Sequence, residues 1–459
     1  MTAPILVWLR RDLRLADQPA FHAAAASGAP MVPVYVLDDD GAGDRALGGA
    51  SRWWLHHSLT ALDVDLRRAG SRLILRRGGA ARELAAVAKE AGAREIHAIV
   101  HYEPWWRKAE GEVAKVLNLH LHDGNYLAPP ASVLTGGGTP FRIFTPFWRA
   151  LEQEMPPPEP LTRPKLTAPA TWPDSARLED WNLLPTAPDW AGGFRKAWRV
   201  GEHSAQDRLD EFLDRVGDYE TARNLPSIDG SSRFSPHLHW GELSPRHVWH
   251  ALSGKRGIGA QSFRRELGWR DFAQGIVAQF PRYGEESFRE EHRRLPWRDP
   301  RGEAKGDWAA WRQGRTGYPI VDAGMRQLWA TGWMHNRVRM IAASFLIKHL
   351  LIDWRHGERW FWDTLVDADY GNNAVNWQWV SGSGVDASLF SRIMAPLVQS
   401  PKFQAANYIR EWVPELAGLS DDDIHDPVFR PTGYPAPIVG HREARERALA
   451  AYAQVKSGA

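Results

Sequence analysis

The chain is 459 residues long, 43% hydrophobic and 24% charged, with a formal net charge of +2; this is the profile of a folded protein of two or three domains and excludes disordered and collagen-like chains. It contains no cysteine, so disulfides, thiolate metal sites, iron–sulfur clusters and cysteine nucleophiles are excluded together. No apolar run approaches the roughly 20 residues that span a bilayer, and the N-terminus has no signal-peptide pattern, so a cytoplasmic protein is expected.

In chain order, apolar runs at 5–11, 31–38, 72–77 and 95–102 predict buried strands, separated by helical periods near 17–28, 51–70, 80–92 and 105–117. "NLHLHDG" at 118–124 supplies a candidate fifth strand. This alternation predicts an α/β domain over 1–130 with a doubly wound parallel sheet. No G-x-G-x-x-G follows the first strand, so a ligand there would not be held as a Rossmann enzyme holds its dinucleotide. Prolines then recur from Met155 to Trp190 ("MPPPEP", "LLPTAPDW"), predicting an ordered but irregular linker over 131–200. Beyond it, helical periods at 202–216, 243–252, 262–280, 318–330 and 335–352 predict an all-helical second domain over 201–459.

Charge is unevenly spread. Between Arg223 and Phe345 stand 20 Lys and Arg against 12 Asp and Glu, which reads as a polyanion footprint or equally as a solvated surface. The 24 tryptophans serve as core or as stacking platforms for flat ligands. "GSSRFSPHLHWGELSP" (230–245) reads first as a Ser-rich connector and second as a phosphate cradle of hydroxyls and backbone N–H groups before a helix. "ELGWRDF" sets Glu266, Trp269 and Arg270 on one helical face, either a surface ion pair beside a packed indole or a ligand face. Asn336, Arg339 and Met340 share a face on a helix apolar enough to be buried, where Arg339 needs an acidic partner, Asp367 or Asp369. His237, His239 and His335 lack metal-ligand spacing and read as structural; no metal site is expected.

Taken in order, "VWLRRDLRLADQPA", "GRTGYPIVDAGMRQLWATGWMHNRVRMIAASFLIKHLLIDWRHGERWF", "DADYGNNAVNWQWVSGSGVDAS" and "NYIREWVPEL" resemble the DNA photolyase/cryptochrome family over most of the chain. The resemblance implies noncovalent FAD bent into a U within the helical domain. Matching positions assign Tyr219, Ser231, Ser232, Phe234 (through its backbone) and Ser235 to the diphosphate and ribityl region. Arg270, Arg339, Asp367 and Asp369 fall at further flavin-holding positions, and Asn373 matches the residue facing flavin N5, able to donate or accept there. Trp377, then Trp354, then Trp311 toward the surface match an electron-relay triad.

On the substrate side the resemblance implies repair of cyclobutane pyrimidine dimers in UV-damaged DNA by electron transfer from the photoexcited reduced flavin. Trp269 matches a wedge and Trp379 a stacking residue for the flipped dimer. Glu266 would bond the dimer's polar edge and Asn336 its other base, and Met340 stands where repairers of the (6-4) product carry a histidine. Arg223, Arg337 and Arg392 match phosphate contacts. Plant-type cryptochromes lose the tryptophan pair and place an aspartate opposite N5. The alternatives are a cryptochrome-type blue-light photoreceptor and (6-4) repair; a generic FAD oxidoreductase would need a nicotinamide site, for which no glycine fingerprint exists. The family's N-terminal domain commonly holds an antenna, methenyltetrahydrofolate or 8-hydroxy-5-deazaflavin. Trp105 and Trp106 in "HYEPWWRKAE" could stack on one or simply cover the sheet. A monomer acting on DNA is expected.

Overall fold

In the computed structural model, which describes residues 2–387 and 390–457, five strands form one fully parallel sheet. They are β1 (Ile5–Leu9), β2 (Met31–Leu37), β3 (Ile74–Arg77), β4 (Glu95–Ile99) and β5 (Asn118–His122), in the order β3-β2-β1-β4-β5. Every residue of β1 and β2 is buried, which is why these strands read as continuous apolar runs rather than alternating ones. Helices α1 (Pro19–Ala26) and α2 (Gly49–Arg68) pack with Ile5, Val7 and Leu9, while α3 (Ala80–Ala91) and α4 (Pro104–Val113) pack with Leu6 and Trp8. The sheet is therefore covered on both faces.

The chain reverses its strand order between β1 and β4, the position where doubly wound sheets usually open a ligand crevice. Here side chains fill it. Arg10, wholly buried, meets Glu110 at 2.7 Å, and Arg11 meets Glu103 at 2.9 Å. These arginines also explain why β1 stops at Leu9 although the apolar run extends to 11: their guanidinium groups leave the sheet to find carboxylates.

The Pro-rich segment is not wholly irregular, because it carries α5 (Phe144–Gln153). Beyond residue 200 the described residues contain no strand. The helices that matter below are α6 (Glu202–Arg215), α7 (Ser235–His239), α8 (Ile258–Gln279), α9 (Lys305–Gln313), α10 (Pro319–Thr331), α11 (Asn336–Ser344), α12 (Trp354–Thr364), α13 (Tyr370–Ser381) and α14 (His441–Ser457). The helix expected over 335–352 is α-helical only to Ser344 and continues as a π turn, Phe345–His349. Its run "FLIKH" is buried throughout, so periodicity could not separate the two helix types. A new helix, α12, starts at Trp354, capped by Asp353, which accepts from the Arg355 N–H.

The two halves are held together by polar contacts as well as apolar ones. Arg14 donates to the Gly241 carbonyl at 2.9 Å, Trp54 Nε1 to Glu242 at 3.0 Å, and Arg246 pairs with Asp17 at 2.6 Å. Gly241 sits at φ +66°, and a Cβ there would run into the Arg11 carbonyl, so the close approach of the halves requires glycine at this turn.

Candidate functional site

The helical half encloses a cavity of about 480 Å³, within the roughly 300–1,000 Å³ of ligand clefts. One wall is the Ser-rich segment, where Ser231, Ser232, Phe234 and Ser235 all face the cavity beside Tyr219. Helix α7, which follows, has only five residues. The cradle therefore rests on hydroxyls and backbone N–H groups, with little help from a helix dipole. Also lining the cavity, Arg339 holds Asp367 in a bidentate pair at 3.1 and 2.8 Å while its Nε donates to the Met334 carbonyl at 2.7 Å. Asp369 caps α13 by accepting from the Asn372 N–H at 2.7 Å. Although burial alone would raise it, the His239 ring, Arg270 and that N–H hold the Asp369 carboxyl below the usual carboxylate range.

Arg270 also lines the cavity, but its guanidinium is spent on the Asn125 and Leu238 carbonyls. His239, expected to be a structural histidine, lines the cavity too; its buried Nδ1 stands 3.7 Å from the Asp369 carboxylate, beyond hydrogen-bond reach, and its buried Nε2 has no partner. Burial, with Arg11 nearby, pushes its pKa down to about 4, so it is an uncharged ring with unmet polar atoms. Unsatisfied buried nitrogens are costly, and here they are what a bound ligand would satisfy.

Asn373 does not line this cavity; its neighbours Asn372 and Asn376 do. Its amide nitrogen spends both protons on Glu358, donating to the backbone carbonyl at 3.0 Å and to Oε1 at 2.9 Å. The expectation that this amide could either donate or accept is corrected: only its oxygen is free, as an acceptor. Glu358 is wholly buried and is clamped by both its oxygens on Arg45, at 2.7 and 2.9 Å. Burial raises the Glu358 carboxyl, and Arg45 opposes that rise. A side chain from the N-terminal half thus fixes the orientation of Asn373.

The same cavity is walled elsewhere by indoles. Trp269 lies face to face on Phe144 of α5, 3.4 Å between centroids and 8° between planes, so one face of the ring is covered while the residue borders the cavity. Trp379 borders it as well, with the Arg392 guanidinium 5.9 Å from its ring. Glu266 is ion-paired with Arg223, and Arg337 donates to Asn224 Oδ1 at 2.8 Å. Met340 lines the cavity beside Asn336, which is exposed at the start of α11 rather than buried, as its helical face suggested. His335 caps that helix, accepting from the Arg337 N–H at 3.3 Å.

The tryptophan order departs from expectation. Trp377 is seated against α12 at Gly357, where a Cβ would collide with the indole. Its ring meets Trp311 at 6.4 Å, edge to face, with Phe361 5.0 Å away. Trp311 does not lie toward the surface: it is 0% exposed and bonds the Ala342 carbonyl through Nε1. The outward step from Trp311 is Trp308, stacked on it at 5.4 Å and only partly buried. Trp354 is buried, donates to Ser287 Oγ at 3.1 Å and makes no ring-to-ring contact among the described residues.

Trp105 and Trp106 are both half-buried and line a small pocket together with Arg11 and Tyr35. Trp105 packs edge-on to Tyr370 at 5.2 Å and to Trp362 at 6.1 Å, and Trp106 edge-on to Trp8 at 6.4 Å. The last residue of the tryptophan-rich motif, Ser388, lies outside the described residues. Phe144, His239, Arg45, Glu358 and Trp308 were not singled out as functional by sequence; of these, only Phe144 had a local signal, the helical spacing of "FTPFWRAL".

Five arginines (Arg223, Arg233, Arg270, Arg337 and Arg339) line the cavity against three carboxylates. With the hydroxyl wall and the unmet His239 nitrogens, this donor set fits a large, flat, anionic cofactor of the flavin dinucleotide type. Fold and site together define a two-part flavoprotein, a parallel-sheet domain followed by a helical cofactor domain. The comparisons agree. A family model described as DNA photolyase matches residues 5–165, and one described as FAD binding domain of DNA photolyase matches residues 263–454. The chain is 47% identical to the deoxyribodipyrimidine photo-lyase of Agrobacterium fabrum, covering 99% of this chain and 98% of that one. It is 35% identical to Arabidopsis thaliana cryptochrome-2, covering 97% and 78%. A crystal structure of a bacterial class III photolyase from Agrobacterium tumefaciens superposes with a TM-score of 0.94 at 47% identity, covering 100% and 98%. The chain belongs to the DNA photolyase/cryptochrome family.

Proposed function

We propose that this protein is a deoxyribodipyrimidine photo-lyase, repairing cyclobutane pyrimidine dimers in DNA under blue light. The observation that carries the reading is that one continuous cavity joins the hydroxyl- and arginine-lined chamber to the Trp269 and Trp379 walls. When bound, reduced FAD supplies a photoexcited one-electron donor. The chain's residues do the rest. Ser231, Ser232 and Ser235 with Tyr219 and the Phe234 backbone would hold the diphosphate and ribityl groups, and Arg339, Asp367 and Asp369 the ring system and centre of the cofactor, with Arg270, bonded to the Asn125 and Leu238 carbonyls, as a positive charge beside Asp369. Asn373, which matches the N5-facing position but does not line the cavity, would reach the cofactor only through its free amide oxygen.

An extruded dimer is a few kcal/mol above its stacked state, less for a damaged step; photolyases are among the standard examples of base flipping. The open face of Trp269, backed by Phe144, and the ring of Trp379 receive the lesion. Glu266, ion-paired with Arg223, and Asn336 bond its polar edges, and Met340 fills the apolar side. The indole walls exclude water from the splitting ring. Arg337 and Arg392 take the flanking phosphates, which makes affinity fall with salt. Trp377 is the first donor of a relay that refills the cofactor, with Trp354 and Trp311 as further members. The division into a sheet domain, a Pro-rich linker and a catalytic domain, the monomeric state and a cytoplasmic location are parts of the same reading. In support of the last, no helix among the described residues is long and apolar enough to cross a membrane.

The test is direct. The reduced protein is mixed with an oligonucleotide carrying thymine dimers, and the base absorbance is followed under blue light. Recovery is expected. Light-driven flavin reduction without recovery would favour the photoreceptor alternative, and recovery only on (6-4) lesions would move the substrate.

A further inference from the structure

The β4–β5 edge of the sheet carries four side chains that the photolyase reading does not use. β4 begins "EIH" and β5 ends "HLH". Residues two apart on a strand share a face, which puts Glu95 with His97 and His120 with His122. The parallel register sets His97 opposite His120. The rings meet across the strands, His97 to His120 at 4.8 Å and His97 to His122 at 5.1 Å, the latter stacked. One nitrogen of His97, Nδ1, lies 3.0 Å from His122 Nε2. The ligand atoms of Glu95, His97 and His120 all fall within 4.8 Å of one another.

We propose that Glu95, His97 and His120 form a binding site for a borderline divalent cation of the Zn²⁺ or Co²⁺ class, with His122 as the residue that positions His97. Two imidazoles and a carboxylate suit Zn²⁺, Co²⁺, Ni²⁺ or Cu²⁺, whereas Mg²⁺ and Ca²⁺ take oxygen sets. Tetrahedral ligands at about 2.0–2.1 Å from the ion stand about 3.3 Å apart. Closing to that spacing takes only rotation of Glu95 and His120, both exposed, onto the more buried His97. A ligating histidine usually donates its other ring N–H to a partner that fixes its orientation, and the 3.0 Å His97–His122 contact would serve as such a bond in the tautomer that protonates His97 Nδ1. A metal here would tie the edge strand β5 to β4, at the one sheet margin whose side chains are largely solvent-facing.

The experiment titrates the untagged full-length protein with Co²⁺ alone, following the visible d–d bands and equilibrium dialysis. One equivalent with tetrahedral bands is expected. Exposed His120→Ala should weaken binding by about 100-fold or more and Glu95→Gln by about 10-fold or more, with flavin content unchanged. His122→Phe should cost about 10–100-fold in affinity, and His122→Gln, which can still bond His97, should recover most of it at equal stability without metal. Absence of a stoichiometric Co²⁺ band, or equal affinity in the wild type and His120→Ala, would overturn the assignment; equal affinity in His122→Phe and His122→Gln would remove the positioning role.

Discussion

Arg45→Met offers the sharpest test of how the two halves cooperate. Arg45 is 5% exposed and Glu358 0%, and they meet through two contacts at 2.7 and 2.9 Å. Removing one member of a buried pair costs about 3–5 kcal/mol when the other stays charged. Glu358 can escape by binding a proton. From its ordinary value of 4.5, neutralisation at pH 7 costs at most about 3.4 kcal/mol, at about 1.36 kcal/mol per pH unit. The loss at pH 7 should therefore be about 3 kcal/mol, including the bond to the Gly284 carbonyl at 2.8 Å. Its pH dependence has a definite sign. Burial without Arg45 raises the folded pKa of Glu358 further, so the folded state gains a proton that the unfolded state lacks. That contribution is present below the unfolded value and is lost as pH rises through the folded one.

The Arg45→Met deficit should then shrink to about 1 kcal/mol near pH 5, the worth of the lost hydrogen bonds, and be largest near pH 8. Denaturant melts of the wild type, Arg45→Met, Glu358→Gln and the double variant at both pH values supply the measurement. The double variant should recover more than about 1 kcal/mol over the sum of the singles, because it leaves no orphan charge. Since Asn373 donates to Glu358, both single variants should also change the flavin's redox spectrum. Additive losses, or a deficit independent of pH, would refute the clamp.

Trp269→Ala should weaken binding of dimer-containing DNA by about 1–3 kcal/mol, the worth of one stacked base, with flavin content unchanged, as an electrophoretic shift would show. Arg337→Gln and Arg392→Gln should each lower the slope of log affinity against log salt by about 1. Trp377→Phe should abolish photoreduction. Trp354→Phe should leave a residue that disappears on adding Trp311→Phe, because Trp311 reaches Trp377 directly and Trp308 beyond; a double variant no slower than Trp354→Phe would exclude that branch. Burial pushes Asp271 up to about 7 against the Leu127 and Ala128 N–H groups it accepts from. The folded state therefore holds a proton the unfolded one has lost, and stability should fall as pH rises from about 4 through about 7, by up to about 1.4 kcal/mol per unit. Asp271→Asn should flatten that dependence in melts across the range.

What could be read from the sequence was what local chemistry fixes. Strand and helix alternation sufficed for the parallel sheet, since apolar runs with helical crossovers have one common packing. The need of buried charge for a partner pointed Arg339 to Asp367 or Asp369, and the fold selects Asp367; the Ser-rich segment, read first as a connector, borders the cavity. The misjudged features depend on contacts between distant segments. Trp308 and Trp311 are three apart on one helix, and nothing local tells which is deeper; the answer lies in Phe361 and Trp377, on other helices. Prolines around "FTPFWRAL" hid a helix whose Phe144 backs Trp269.

The role of Asn373 could not be separated from Glu358, fifteen residues earlier, or from Arg45, in the other half of the chain. Neither strand alone showed the histidine edge, because "EIH" and "HLH" become one cluster only through the register that sets His97 against His120. At all these places a side chain's chemistry is set by a partner the fold supplies. The orientation of Asn373 is the case with most consequence, since an amide with both protons committed can offer a cofactor only its oxygen.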